Sequence, residues 1–537
     1  MRTGADVIAE KLKLAGCRHA FGIPGGEVLA LMDGLDRAGL RFVLVKHENA
    51  GGFMAEGGWH ADGAPGVLLA TLGPGVANAI NVVANAWQDR VPLIFLTGCV
   101  DAVDAESYTH QVFDHQQLLR PIVKASFTAR TGAIDAMMEK AIALATDGQP
   151  GPVHIDVPIK VAESACDEVP SAWRAPAPAG IAEAADLQIA LDLFANAQKP
   201  LVIAGVDAVN EGAGSAITEF CQRFSVPLVT TYKAKGLMDE RSELALGGAG
   251  LSPKADAILL PLLAESDCVL LLGYDPIEMR VNWRNPWPDD APVIDVTPIL
   301  RTHGMHRCRV ELRGTVSSAL KLFSRSRAPD ARAWPGNEPE TTRGQLEEAF
   351  APEAEGWGPA TVFHTLRRVL PESTTATADS GAHRILASQI WKCYAPRGML
   401  QSSALCTMGC ALPLAMGRSL VDEARAPVIA FVGDAGLEMC LGELSTLRDL
   451  QLPVIICVLV DRSLSLIELK QRAGQRRNLG VDFGETDFPA VAKAYGGHGV
   501  WIEDLKALET EAVSALGRSG FTLLACRIND RSYDGRI

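Results

Sequence analysis

The chain has 537 residues, 48% of them apolar, with a mean hydropathy of +0.11 and a net charge of −14. That length predicts two to four domains with large internal cores, and the acidic balance argues against nucleic acid or an anionic membrane as a partner. The 12 cysteines are scattered, often inside apolar runs such as Ile456-Cys457-Val458, and read as reduced, buried thiols of a cytoplasmic protein rather than as a disulfide frame or metal-type pairs.

The N-terminal Met1-Arg2-Thr3-Gly4-Ala5-Asp6 lacks a signal-peptide core, and the apolar stretches are too short to span a bilayer. Buried strands are predicted at 42–46, 66–71, 92–97 and 152–157, separated by helix-like runs. The Pro- and Ala-rich stretch 169–180 reads as a linker. A second unit follows with strands at 201–204, 227–230, 268–272 and 292–296, and then a polar, Pro-rich linker at 324–358. The third unit has strands at 374–378, 428–432, 453–460 and 522–526. This alternation predicts three doubly wound, parallel-sheet α/β domains, over residues 1–167, 181–323 and 356–537.

The most informative local pattern lies in the third unit. A buried strand delivers Val432-Gly433-Asp434-Ala435-Gly436, and the next buried strand ends at Asp461-Arg462-Ser463. The spacing suits one strand–helix–strand unit, which puts both aspartates at the carboxyl end of the sheet, where ligands bind. Two carboxylates beside free N–H groups at a helix start suit a hard cation and a diphosphate.

Four further segments give this pattern a family context. They are Phe21-Gly22-Ile23-Pro24-Gly25 with His47-Glu48-Asn49-Ala50-Gly51; Thr71-Leu72-Gly73-Pro74-Gly75; Gly148-Gln149-Pro150-Gly151-Pro152; and Thr407-Met408-Gly409-Cys410-Ala411. In this order and spacing the chain resembles the acetohydroxyacid (acetolactate) synthase-like branch of thiamine-diphosphate enzymes over essentially its whole length. The resemblance implies pyrimidine-binding, middle and diphosphate-binding domains. It also implies thiamine diphosphate and Mg²⁺ as cofactors, and a homodimer or homotetramer with active sites between subunits.

It further implies roles for particular residues. Glu48 matches the glutamate that hydrogen-bonds the cofactor's pyrimidine N1′, and Gln111 matches a substrate-facing glutamine. Met408 matches the bulky residue that holds the cofactor folded, beside the backbone carbonyl of Cys406, where relatives commonly have Gly. Asp434, Asp461 and the carbonyl of Ser463 match the metal ligands, with Asp461 standing where the family usually has Asn. Gly433, Ala435, Gly436 and His383 match the diphosphate side, Ala435 replacing the usual Gly. Leu466 and Ile467 would face the thiazolium, and Gly22, Pro24, Gly25, Gly73 and Pro74 would form backbone loops along cofactor and substrate.

Specificity is less legible. Lys470 falls where the synthases carry a Trp; it reads either as a solvated helix residue or as a contact to an anionic substrate. His115 is a second candidate substrate contact, although a lone histidine is more often structural. Leu272-Gly273-Tyr274-Asp275-Pro276-Ile277-Glu278 stands where the synthases have an Arg-containing flavin-contact segment, so no tightly bound FAD is expected. The expected function is a carboligase or lyase acting on a 2-keto acid, by decarboxylation and acyl transfer to an acceptor. The alternatives are a decarboxylase or acetyltransferase for an anionic keto acid or a sulfoacetaldehyde-like substrate, and a catalytically degenerate cofactor-binding relative.

Overall fold

A computed structural model describes residues 2–181, 185–325 and 333–537. It contains three six-stranded sheets whose neighbouring strands all run parallel. The first comprises β1 His19–Ile23, β2 Arg41–Leu44, β3 Gly66–Ala70, β4 Leu93–Cys99, β5 Ala125–Thr128 and β6 Pro152–Pro158. The second comprises β7 Pro200–Ala204, β8 Leu228–Thr231, β9 Ala245–Ala249, β10 Cys268–Leu272, β11 Val293–Thr297 and β12 Val310–Arg313. The third comprises β13 Thr375–Ala378, β14 Met399–Gln401, β15 Val428–Gly433, β16 Ile455–Val460, β17 His498–Ile502 and β18 Thr522–Arg527.

The first and third sheets share one strand order, β2-β1-β3-β4-β6-β5 and β14-β13-β15-β16-β18-β17. The middle sheet, β12-β11-β10-β7-β8-β9, has the order of a dinucleotide-binding fold. In the first and third sheets the last connection, β5 to β6 and β17 to β18, runs back from the edge. In each sheet the main crossovers part in opposite directions at one place, between β1 and β3, between β7 and β10, and between β13 and β15. A crevice opens there at the carboxyl ends of the strands. Such doubly covered strands must be apolar on both faces, and the central ones are: every residue of β3, β7, β10 and β11 is buried.

Each of the twelve predicted strands has its counterpart. The six that were not foreseen are β1 and the edge strands β5, β9, β12, β14 and β17. The second predicted linker is corrected in part. It contains the helix Glu338–Ala349, whose polar sequence hid it, while residues 326–332 lie outside the described residues. The stretch 169–180 is irregular. Gly22, read as part of a loop, is instead the fourth residue of β1, paired with Leu44 and Leu69. A Cβ there would lie 1.8 Å from the Leu69 carbonyl oxygen, so glycine serves close strand packing.

The first and third domains share a continuous core that joins Phe53 and Met54 to Leu412 and Leu414. The helices Glu48–Asp62 and Ala411–Val421 approach so closely that a Cβ on Gly417 would lie 1.9 Å from the Met54 carbonyl oxygen. Polar side chains fasten the middle domain. Arg90 of the first domain pairs with Asp275 at 2.8 Å, and Gln149 donates to Asp207 at 3.0 Å and to Asp275 at 3.1 Å. Asp207 follows β7 and Asp275 follows β10, so first-domain side chains fill the middle sheet's crevice. Among the described residues, no helix is long and apolar enough to cross a membrane. Eight of the 12 cysteines are buried, and all are free thiols.

Gly417→Ala should lower the urea midpoint by about 1–3 kcal/mol of overpacking. Gly344→Ala, in a helix with open space at the Cβ position, should leave the midpoint unchanged or raise it by up to ~1 kcal/mol. Equal midpoints for the two variants would show that the helix contact is not tight. Burial pushes the Asp207 carboxyl up to about 6, with Arg301 working against it and Asp275 adding to it. Because the folded value is the higher one, this group's stabilisation is complete below its unfolded value of about 4 and is lost as pH rises through about 6. Urea midpoints across that window should fall less in Asp207→Asn than in wild type; parallel curves would refute the assignment.

Candidate active site

At the crevice of the third sheet, Asp379 follows β13, Asp434 follows β15 and Asp461 follows β16. A cavity of about 120 Å³ opens there, and Asp434, Asp461, Gly433, Ala435, Gly436, Ser463, Leu466, Ile467, His383 and Met408 all line it. Three helices start around it, Ala382–Ile390, Asp434–Glu438 and Ser465–Ala473; no N-cap residue supplies a side-chain cap, and only the short Asp434–Glu438 has a first-turn N–H taken by a side chain, its own Asp434. Helix N-termini carry partial positive charge and favour an anion. Ala435 sits inside the helix Asp434–Glu438, with Gly433 as N-cap at φ −78°. The position does not demand glycine, so the exchange of Gly for Ala brings no backbone strain.

Asp434 is the organising side chain. Its Oδ2 accepts the backbone N–H groups of Asp461, at 3.1 Å, and Arg462, at 2.7 Å, while Oδ1 accepts that of Ala435 at 2.8 Å. One carboxylate thus clasps the turn that ends the next strand, with Arg462 at φ +60°. Asp461 in turn accepts from the Ser463 N–H and the Ser465 hydroxyl. Both carboxyls are buried. Burial, and then the charge of Asp434, push Asp461 up to about 7, and burial raises Asp434. Two like charges held out of water call for a cation between them. The donor set (two carboxylates, a backbone carbonyl and uncapped helix starts) fits a divalent ion bridging to a diphosphate.

Met408 lines this cavity and also a second cleft, which contains Cys406, Thr407, His47, Asn49 and Glu443. Cys406 adopts φ +58°, its thiol near Arg384 Nη2 at 3.3 Å and the Ser403 carbonyl at 3.2 Å. Three residues escaped the sequence reading. Asp379, fully buried, accepts from Gly409 N–H at 2.8 Å and lies 2.7 Å from His383 Nε2, so it joins the Met408 turn to the diphosphate side. Tyr533 lines the cavity from the C-terminal segment. Glu443 accepts the N–H groups of Lys46 and His47 and so fixes the chain just before Glu48. No local pattern marks these three, because each acts on a segment distant in sequence.

Glu48 opens the helix Glu48–Asp62 and is buried. Its Oε2 accepts from Asn78 Nδ2 at 3.0 Å. Gly25 and Pro24 follow β1, and Gly73 and Pro74 follow β3, so they flank the crevice of the first sheet. Gly73 has φ +65°, a conformation open to glycine, and packs against the backbone of Gln111, itself exposed at φ +60°. His115 is buried, and both of its ring nitrogens meet protein partners, Asp156 at 2.8 Å and the Gly73 N–H at 3.1 Å. That leaves no nitrogen to touch a substrate. Lys470 is exposed near the end of its helix. The second cleft brings Met408 beside His47, Asn49 and Asn78 of the first domain. The diphosphate-type cavity is lined wholly from residues 380–533, and Glu48, Gly73 and Gln111 gather in the first domain.

Comparison with known proteins places these parts in a family. Residues 2–118 match the description "Thiamine pyrophosphate enzyme, N-terminal TPP binding domain", residues 187–322 its central domain and residues 379–526 its C-terminal TPP binding domain. The chain is 30% identical to the acetolactate synthase isozyme 3 large subunit of Escherichia coli (strain K12), covering 96% of this chain and 92% of that protein. It is 28% identical to an acetolactate synthase of Bacillus subtilis (strain 168), over 93% and 88%. It is 30% identical to the acetolactate synthase large subunit of Parasynechococcus marenigrum (strain WH8102), over 96% and 85%.

Asp379→Ala should strand the Gly409 N–H and the His383 ring, at a cost of about 1–3 kcal/mol for a buried group left without its partner. Urea unfolding would register this as a lower midpoint; an unchanged midpoint would mean that the Met408 turn is held by other contacts.

Proposed function

We propose a reaction for a chain that belongs to the thiamine pyrophosphate enzyme family and is, within it, an acetolactate-synthase-like, thiamine-diphosphate-dependent enzyme of C–C bond formation. The substrate is a 2-keto acid, which loses CO₂ and passes its acyl group to an acceptor, with Mg²⁺ holding the cofactor. The observation that carries the reading is the Asp434–Asp461 pair, buried side by side at the crevice of the third sheet beside the uncapped starts of the helices Ala382–Ile390 and Ser465–Ala473.

When bound, thiamine diphosphate supplies the nucleophilic carbon and the electron sink that decarboxylation needs. The remaining work falls to this chain's side chains. Asp434, Asp461 and the Ser463 carbonyl hold Mg²⁺ against the diphosphate. The helix starts at Ala382 and Ser465 stabilise its negative charge. Met408, steadied by Asp379 through the Gly409 N–H, sets the depth of the cavity. Glu48 exchanges a proton with the pyrimidine N1′, and its burial keeps that exchange away from bulk water. Gln111 contacts the keto acid.

The active protein in this reading is a homodimer or a pair of dimers. The diphosphate cavity takes no lining residue from the first domain of its own chain, while Met408 also borders a cleft with His47 and Asn49 of that chain; in this reading the Glu48 half of a second copy completes the cavity. Exposed Leu44, beside Glu48, and exposed Met439 and Ile467, beside the cavity, are apolar groups that a subunit contact would cover.

Proton NMR of the protein with thiamine diphosphate, Mg²⁺ and pyruvate should show acetolactate or acetoin. Intact cofactor binding without consumption of pyruvate would reject pyruvate as the donor. By calorimetry, Asp434→Ala should lose Mg²⁺-dependent cofactor binding, and unchanged affinity would refute the metal assignment. Asp461→Asn should keep Mg²⁺-dependent turnover, because an amide oxygen can replace the carboxylate; complete loss would show that the second charge is required.

A further inference from the structure

The first domain holds a second cluster of titratable groups that the proposed chemistry leaves unused. Asp156, in β6, lies buried beside His115 and His154, which are buried too. His115 Nε2 faces the Gly73 N–H at 3.1 Å and must accept from it. The ring proton therefore sits on Nδ1, which donates to Asp156 Oδ1 at 2.8 Å. The Thr97 hydroxyl donates to the same oxygen at 2.9 Å, and Gln116 Nε2 donates to Oδ2 at 3.2 Å. His154 Nε2 lies 2.9 Å from Thr97 Oγ1, whose proton is already given to Asp156, so His154 donates there.

The three candidate ligand atoms of this cluster fall within 4.8 Å of one another, which would suit a metal. A cation, however, would need the His115 Nδ1 lone pair and hence the opposite tautomer, leaving two N–H groups facing each other at Gly73. The pattern of donors favours a neutral imidazole locked by an ionised carboxylate. Burial opposes that ionisation, but the hydrogen bond from His115 and the nearness of His154, 3.5 Å from the same oxygen, outweigh it and hold Asp156 well below the usual carboxylate range.

What the ring holds is a turn that glycine adopts freely and other residues do not. Gly73 has φ +65° and ψ −103°, the mirror image of extended backbone. A Cβ on it would lie 2.4 Å from the Gln111 carbonyl oxygen. The loop carrying Gln111 and His115 thus docks on Gly73 at two points, through the Gln111 backbone and the His115 ring. On its other side the turn reaches Glu48. The Cβ position of Gly75 lies 3.4 Å from Glu48 Oε1, and Asn78, on the helix that the turn starts, donates to Glu48 Oε2.

We propose that Asp156 and His115 form a positioning pair: the ring, fixed in its Nδ1–H tautomer, clamps the Gly73 turn and so sets Glu48 and Gln111 relative to each other. The proposal rests on the assignment of Glu48 to the cofactor's pyrimidine. Neither residue of the pair touches substrate or cofactor; both act through the backbone at Gly73. Gln at position 115 could reproduce the pair, its carbonyl accepting from Gly73 and its amide donating to Asp156, whereas Leu can do neither.

The test compares wild type, His115→Leu, His115→Gln and Glu48→Gln as full-length holoenzymes, by steady-state kinetics and cofactor calorimetry, with ¹⁵N NMR of labelled histidine in the wild type. His115→Leu should bind thiamine diphosphate nearly as wild type but lose about 10- to 100-fold in kcat, the scale of an ångström of misplacement, and His115→Gln should recover most of that loss. The His115 ring should show the neutral Nδ1–H tautomer. Wild-type kcat in His115→Leu, no advantage of Gln over Leu, the Nε2–H tautomer or a stoichiometric metal would each overturn the proposal. Should His115→Leu fail to fold, the tautomer and the Gln variant still decide. Full activity in Glu48→Gln would instead remove the underlying role of Glu48, while the tautomer would still report on the clamp itself.

Discussion

The carboxylate of Asp434 carries more of this structure's function than any other group. It accepts two N–H groups from the turn after the neighbouring strand and one from its own helix start. That clasp fixes the end of β16, and with it the position of Asp461, Ser463 and the helix Ser465–Ala473. Without it, two buried carboxylates of like charge would repel and the turn at Arg462, with its positive φ, would relax. The clasp therefore holds open a site whose electrostatics invite a divalent ion, and the surrounding helix starts add the complement for an anion.

Repetition of one topology is the second constraint. The first and third sheets run in the same strand order, so each offers a crevice at the same point of the fold. In the third it carries Asp379 and Asp434; in the first it carries the Gly25 and Gly73 turns. The domains are joined by helices packed to near backbone contact at Gly57 and Gly417 and by a shared apolar core. The crevice of the middle sheet, by contrast, is filled by Arg90 and Gln149 of the first domain, paired with Asp207 and Asp275. The same architecture thus serves as a ligand site twice and as a domain clasp once.

Much of the fold was legible because the central strands are apolar on both faces, as a doubly covered parallel sheet demands. Runs such as 268–272 and 455–460 are wholly buried, and the second is followed by the polar helix Ser465–Ala473. The edge strands were not legible. β5, β12 and β17 are only partly buried, β14 has three residues, and β9 carries two glycines. β1 is interior, but His19 and Gly22 break its apolar run, and Gly22 is explained only by the approach of Leu69. The helix Glu338–Ala349 was hidden by its polarity, since it packs through little more than Thr342 and Leu346.

By itself the sequence determined the three α/β units and the family, and it singled out the residue types that a cofactor site requires, Glu48, Met408, Asp434 and Asp461 among them. These are local properties, written in runs of neighbouring residues and in fixed spacings. Tertiary structure alone decided which groups support them. Glu443 anchors the chain before Glu48 from another domain, Asp379 steadies the Met408 turn, and Tyr533 reaches the cavity from the far end of the chain. It also decided that His115, a plausible substrate contact from its place in a loop, spends both nitrogens on Asp156 and Gly73. A hydrogen-bond partner brought in by folding leaves no periodicity and no motif, so its identity is fixed only when the chain closes on itself.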